Sequence, residues 1–347
     1  MRGRATAFSA LRGHMEVDPL KILRACATRR NRNGPFCALN DCQDHPVGLF
    51  LGDQTTMAYV DAAGARLYVE ESGHGYPVIF LHEFGSDRWQ WEAQIRHFGR
   101  AYRCITFNAR GYPPSEVPED ATAYGWELAI EDVAAVMQAL ALDRAHIIGL
   151  SMGGYTALLF GLRYPEKVSA IVAAAVGSGS LPSHRSAWLK ETSTLARAFM
   201  ERGMDAMAER IAHGPTRIQL KYKDQRTWQA FLAHLRQQSP RGMANTMVRC
   251  QALRPPLHDL QNRLSSLKIP LLLAVGDEDA PCLETNLMLK SMLPNAGLWI
   301  CPNTGHAINL EEPAAFNMQV ECFLSHVERG SWRREYQSPS KPQLPQK

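Results

Sequence analysis

The sequence predicts an α/β fold: a mostly parallel, doubly wound sheet with a helical cap insertion. Three observations point to it. Short apolar, β-branched runs recur at 78–81, 104–107, 145–148, 168–176, 269–275 and 297–300. Such runs, without polar alternation, suit strands covered on both faces. Helix-forming stretches lie between them, as expected when each crossover packs a helix on the sheet. Finally, 177–266 is rich in helix formers and apolar residues, far more chain than one crossover needs.

The elements follow in order. Residues 59–60 and 66–70 read as a leading hairpin around Ala63-Gly64. The runs 78–81 and 104–107 are core strands, with a helix over 91–98 between them. Residues 127–140 form an amphipathic helix whose apolar face is Leu128, Val133, Val136, Met137 and Leu140. Residues 145–148 are a strand, followed by a helix over 155–163 that Pro165 closes. Then come strand 168–176, the insertion, and strands 269–275 and 297–300. Right-handed crossovers make the sheet mostly parallel and gather functional loops at the strands' carboxyl ends. In the insertion, Leu195, Phe199, Met204, Met207, Ile211, Trp228, Phe231 and Leu235 are expected mainly to pack it onto the core, with a few facing a pocket.

The chemistry-bearing signal is Gly149-Leu150-Ser151-Met152-Gly153, placed between a strand and a helix. A glycine-flanked serine at that junction marks a nucleophile elbow. The turn is so tight that residues two before and two after the serine must be small, which Gly149 and Gly153 satisfy. A serine hydroxyl needs a base to take its proton, and the base needs an orienting group. Two signals follow in order: Gly276-Asp277-Glu278-Asp279 after one strand, and Asn303-Thr304-Gly305-His306 after the next.

With those residues in place, the segment from about 59 to 324 resembles the α/β-hydrolase fold family. Asn108-Ala109-Arg110-Gly111-Tyr112-Pro113-Pro114-Ser115 is similar to the family's Asp-x-Arg-Gly-x-Gly-x-Ser loop, with Asn for Asp and Pro-Pro for Gly-x. The resemblance implies Ser151 as nucleophile, His306 as base and then acid, and Asp279 as the orienting carboxylate. Asp277 competes for that last role and is expected instead to bond turn amides. It also implies oxyanion donors at the backbone amides of Met152 and Phe84, the latter in the loop His82-Glu83-Phe84-Gly85. Glu83 stands where the family has Gly. A positive φ there would strain a glutamate, and its carboxylate near an oxyanion must be paired or turned away. His82 is expected to anchor the loop.

Composition sets the remaining bounds. Residues 1–56 carry eight Lys/Arg against five Asp/Glu and residues 329–347 five against one, so the rest of this +4 chain is at −3. The basic character belongs to the ends, which argues against a nucleic-acid-binding core. No run approaches a membrane span. The eight cysteines lack metal-site spacing. Cys282 and Cys301 read as buried free thiols, fitting a reducing, cytoplasmic setting. The expected organisation is an irregular or disordered extension (1–56), a core (57–176 and 267–328), a helical cap (177–266) and a disordered tail (329–347).

The expected function is hydrolysis of an ester, lactone or related acyl bond in a small to medium apolar substrate, with no metal or organic cofactor. A carbon–carbon bond hydrolase of ring-cleavage products and a non-catalytic small-molecule receptor are the alternatives. Dehalogenase and epoxide hydrolase chemistry is disfavoured, because those enzymes place Asp where Ser151 stands.

Overall fold

Each central strand sends alternate residues to opposite faces of one sheet, and helices cover both faces. In the computed structural model, residues 56–293 and 295–332 are described. The expectations for 1–55 and for the chain beyond 332 lie outside them. The strands are β1 (Thr56–Ala62), β2 (Ala65–Ser72), β3 (Tyr76–Leu81), β4 (Tyr102–Phe107), β5 (Ala145–Leu150), β6 (Val168–Ala174), β7 (Leu271–Gly276) and β8 (Ala296–Cys301). They form one eight-stranded sheet in the order β1-β2-β4-β3-β5-β6-β7-β8. β1 and β2 pair antiparallel, as do β2 and β4. From β4 to β8 every pairing is parallel.

The helices are α1 (Glu92–Phe98), α2 (Trp126–Ala139), α3 (Met152–Arg163), α4 (Pro182–Ala212), α5 (Ile218–Lys223), α6 (Gln225–Arg236), α7 (Pro240–Asn245), α8 (Gln261–Ser265), α9 (Ala280–Met292), α10 (Ile308–Glu311) and α11 (Pro313–Glu328). Ile79, Leu81, Ile147 and Ile171 point to the face covered by α2, α3 and α9. Their neighbours Val78, Phe80, Ile148 and Val172 point the other way, against Trp91, Phe98, Phe316 and Phe323. Period-two alternation with both faces apolar is the reason these strands read as continuous apolar runs. No helix among the described residues is long and apolar enough to cross a membrane.

Three boundaries differ from the sequence expectation. The helix after Ser151 starts at Met152 rather than 155, because the tight turn leads straight into helical backbone. Strand β6 stops at Ala174, where Ala175 takes a positive φ of 48°. Part of the expected helix 91–98 is a 3₁₀ turn over Arg88–Trp91, with the Asp87 side chain accepting from Trp89 N at its start.

The helical insertion lies between β6 and β7 and packs in two clusters. Phe199, Met207, Met243 and Met247 pack with Tyr112, Phe84 and Met152. Trp228, Phe231 and Leu235 of α6 pack with Ala307 and Leu310. Both clusters therefore touch loops at the carboxyl end of the sheet. Helix α4 is two helical segments meeting at Gly203, where φ is 70°.

The Asn108–Ser115 loop is secured by a buried ion pair. Arg110 meets Asp132 of α2 through Nε at 2.8 Å and Nη2 at 2.6 Å, and donates to the carbonyls of Ala123 and Ala63. Both side chains are almost fully buried. Asp132→Ala leaves the guanidinium buried without its counterion and is expected to cost about 3–5 kcal/mol, read by urea unfolding. Arg110→Met/Asp132→Leu is expected to recover much of that loss. Equal stability of Asp132→Ala and wild type would refute the assignment.

Candidate active site

Strand order reverses around β3, since β4 lies on one side of it and β5 on the other. Open α/β sheets bind ligands at such switch points. The loop after β3 carries His82-Glu83-Phe84, and the turn after β5 carries Ser151.

Ser151 has φ 52° and ψ −109°, a conformation costly for a residue with a Cβ. The surroundings enforce it. Ser151 N donates to Ala174 O at 2.7 Å, and Tyr155 N donates to Ser151 O at 2.9 Å. A Cβ on Gly149 would run into the Gly153 carbonyl, and one on Gly153 into the Leu81 carbonyl. The amides of Met152, Gly153 and Gly154 precede the first helical hydrogen bond of α3, so they have no partner within the helix.

The loops after β7 and β8 are laced together. Glu278 N donates to Thr304 O at 2.9 Å and Asp277 N to Cys301 O at 3.0 Å. Asp277 Oδ1 accepts from Thr304 N at 3.1 Å, so this acid closes the turn. Asp279, fully buried at the start of α9, accepts at Oδ2 from His306 Nδ1 at 2.8 Å. A carboxylate only accepts, so Nδ1 is the donor and Nε2 is left to face elsewhere. The His306 backbone N donates to Thr216 O at 2.7 Å, tying the ring's position to the insertion.

Ser151, His306 and Asp279 line one cavity of about 160 Å³, along with Phe84 from the β3 loop. Leu195, Phe199 and Ile211 of α4 line it too, so these are the ones among the insertion's expected apolar residues that face the pocket. Phe84 lies on the loop after β3 and Met152 at the head of α3.

Cys282 Sγ lies 3.9 Å from His306 Nδ1, and with Asp279 these are three adjacent donor residues. The donors fit a hydrogen-bond set better than an ion. The thiol donates to Ala175 O at 3.2 Å, and burial pushes its pKa well above the thiol range, whereas metal binding needs the thiolate.

Glu83 is fully buried and does not take a positive φ, so the strain expected from replacing Gly is absent. Gly85 takes the positive φ of this loop, at 86°. The Glu83 amide donates to Gln90 Oε1 at 2.9 Å. Its carboxylate pairs with Arg217 Nη2 from the insertion, and Oε2 also lies 3.6 Å from His306 Nε2. His82 anchors the loop: Nδ1 donates to Glu83 O at 2.8 Å and Nε2 accepts from Ala109 N at 2.9 Å. Burial pulls the His82 pKa down, consistent with a neutral ring that donates on one side and accepts on the other.

Sequence reasoning missed Arg217 and a second tie, Asp87 to α6. Their partners lie 134 and 147 residues away, and no local spacing signals such pairs. His234 Nδ1 donates to Asp87 Oδ2 at 2.8 Å, and Gln238 Nε2 donates to the same oxygen at 3.2 Å.

These geometries sit within a family. The profile of the alpha/beta hydrolase family matches residues 78–319, and the chain belongs to that family. Among curated relatives, it is 25% identical over 270 residues to 3-oxoadipate enol-lactonase 1 of Acinetobacter baylyi, covering 76% of this chain and 95% of that one. It is 26% identical over 290 residues to 2-hydroxy-6-oxo-6-phenylhexa-2,4-dienoate hydrolase of Burkholderia cepacia, covering 80% and 99%. A thermophilic esterase from Thermogutta terrifontis shares the fold, with a TM-score of 0.70, 23% identity and coverage of 79% and 99%.

The Asp87 tie gives a pH-dependent expectation. Burial pushes its carboxyl pKa up, but the His234 and Trp89 hydrogen bonds outweigh this and leave it below the ordinary value. A depressed folded-state pKa contributes stability above the unfolded value, about 4, which is lost as pH falls through the folded one. Asp87→Asn is therefore expected to cost about 1–3 kcal/mol at neutral pH, with the gap closing below about pH 4. Thermal melts across pH check this, and a gap that widens in acid would refute it.

Proposed function

We propose that the protein is a serine hydrolase that cleaves an ester, lactone or related acyl bond of a small substrate. The helical insertion, 177–266, acts as the cap over a core of 57–176 and 267–328. The observation that carries the proposal is the His306–Asp279 hydrogen bond of 2.8 Å in the cavity that Ser151 also lines.

In this reading His306 Nε2 takes the Ser151 proton as Oγ attacks the carbonyl carbon. Asp279 holds the ring and stabilises the imidazolium that forms. The amides of Met152 and Phe84 hold the oxyanion, each worth roughly 3–4 kcal/mol of barrier. The tetrahedral intermediate collapses as His306 protonates the leaving group. Water, deprotonated by His306, then releases the acid and restores the serine.

The cavity volume supports a compact acyl group, since a dry cavity of about 150 Å³ holds benzene. Enol-lactone and carbon–carbon bond cleavage, named for the relatives above, use an acyl carbon that the same residues could serve. The ester or lactone reading is preferred because it needs only the groups at hand.

Ser151→Ala is expected to abolish both hydrolysis of short p-nitrophenyl esters and labelling by a fluorophosphonate probe. Labelling that persists at another residue would sink the assignment. Binding of such esters by wild type without turnover would favour a receptor.

Glu83 supplies a second expectation. Arg217 neutralises a carboxylate on the loop that also carries the Phe84 amide; without it, that negative charge opposes the oxyanion the loop is to hold. Arg217→Met is expected to lower kcat by roughly 10- to 100-fold, as loss of a few kcal/mol of electrostatic stabilisation does. Adding Glu83→Gln is expected to restore part of it. A double variant no faster than Arg217→Met would show that charge is not the cause.

A further inference from the structure

Glu191, which is exposed, also lines the cavity, and the buried charges around that cavity do not balance in pairs. Asp279 is engaged by His306 and Glu83 by Arg217. Arg254 also lines this cavity, is 5% exposed, and forms no ion pair among the described residues. Its Nε has no hydrogen-bond partner there. One nitrogen, Nη2, donates to Ser178 O at 2.9 Å. Burial pulls the guanidinium's pKa down, and the nearby Arg185 cation adds to this.

What compensates Arg254 is partial. The guanidinium lies 3.9 Å from the Tyr155 ring centroid, and a cation–π contact returns only part of what burying an ion costs. A purely structural link between insertion and core needs no charge here, because a neutral side chain could pack on Tyr155. Stacking also covers a guanidinium face and leaves the edge as its hydrogen-bonding side. That edge matches a planar carboxylate. Local backbone supports the placement: Ala252 N donates to Met247 O at 3.0 Å, a five-residue step that closes the π-helical turn Thr246–Gln251 just before Arg254.

We infer that Arg254 forms an anion subsite in the Ser151 cavity, and that the substrate carries a carboxylate which this guanidinium receives. The inference rests on the proposal that Ser151 is the nucleophile, and it narrows the substrate class from acyl compounds in general to acids bearing a second, hydrolysable acyl group.

The test compares mono-p-nitrophenyl glutarate with p-nitrophenyl valerate in the full chain. Wild type is expected to favour the acid ester in kcat/KM. Arg254→Met is expected to lower the acid-to-neutral ratio by roughly 30-fold or more, the loss typical of removing one partner of a buried charge pair, and Arg254→Lys to keep part of the preference. The ratio is taken within one preparation, so the fraction of folded protein cancels. In parallel, calorimetry on Ser151→Ala compares glutarate with glutaramide, which needs neither turnover nor an Arg254 variant. Glutarate is expected to bind and the diamide not. Equal turnover of the two esters by wild type, a ratio unmoved by Arg254→Met, or glutarate and glutaramide binding alike would each overturn the subsite. Absence of turnover with glutarate still bound selectively would overturn the hydrolase reading and keep the subsite.

Discussion

The candidate site depends on one steric constraint, the close approach of backbone to backbone where β5 turns into α3. Gly149 lies against Gly153, and Gly153 against the Leu81 carbonyl of β3. That contact is possible only without side chains, and it places the turn beside the β3 loop. Ser151 is held at φ 52° by its own N–H to Ala174 and by Tyr155 N–H to its carbonyl. A strained residue persists where the surroundings over-determine it. Here the sheet supplies those surroundings, since Gly149 and Leu150 are in register with Ala173 and Ala174. The serine's position is thus a property of the whole core.

A second constraint comes from the insertion. Polar ties from it reach the loops after β3 and β8. Arg217 pairs with Glu83 of the β3 loop, Thr216 O accepts from His306 N, and His234 donates to Asp87. Apolar clusters around Phe199 and Trp228 hold the same insertion. An insertion held only by apolar contact could slide; directional hydrogen bonds fix its register. The His306–Asp279 pair is buried, and in a drier site each charge acts more strongly.

Much of this was legible in the sequence, for identifiable reasons. Strands such as 78–81 and 145–148 announce themselves because burial on both faces demands continuous apolar residues. The serine turn is visible because sterics demand glycine at 149 and 153. The choice of Asp279 over Asp277 is what the resemblance implies, since chain order fits both, and the structure gives each acid a distinct partner. The helix start at 152 and the strand end at 174 were missed because the turn geometry, not residue preference, sets them. Arg217, His234 and Arg254 stayed hidden because a long-range partner leaves no period in the sequence. Glu83 was visible as an oddity, but its counterion was not.

Glu83 and Arg254 are best understood together. A buried carboxylate on the loop that carries the Phe84 amide is a liability for a reaction that builds an oxyanion there, and a buried guanidinium without an acid is a liability for folding. Pairing the two would remove both problems, and the fold does not do so. Instead Arg217 reaches in from the insertion to neutralise Glu83, and Arg254 stays stacked on Tyr155 with an unpartnered Nε. A cation kept apart from the acids of its own cavity retains its capacity for a ligand's charge. The cost in stability then becomes selectivity, since a neutral substrate leaves that cation uncompensated and an acidic one does not.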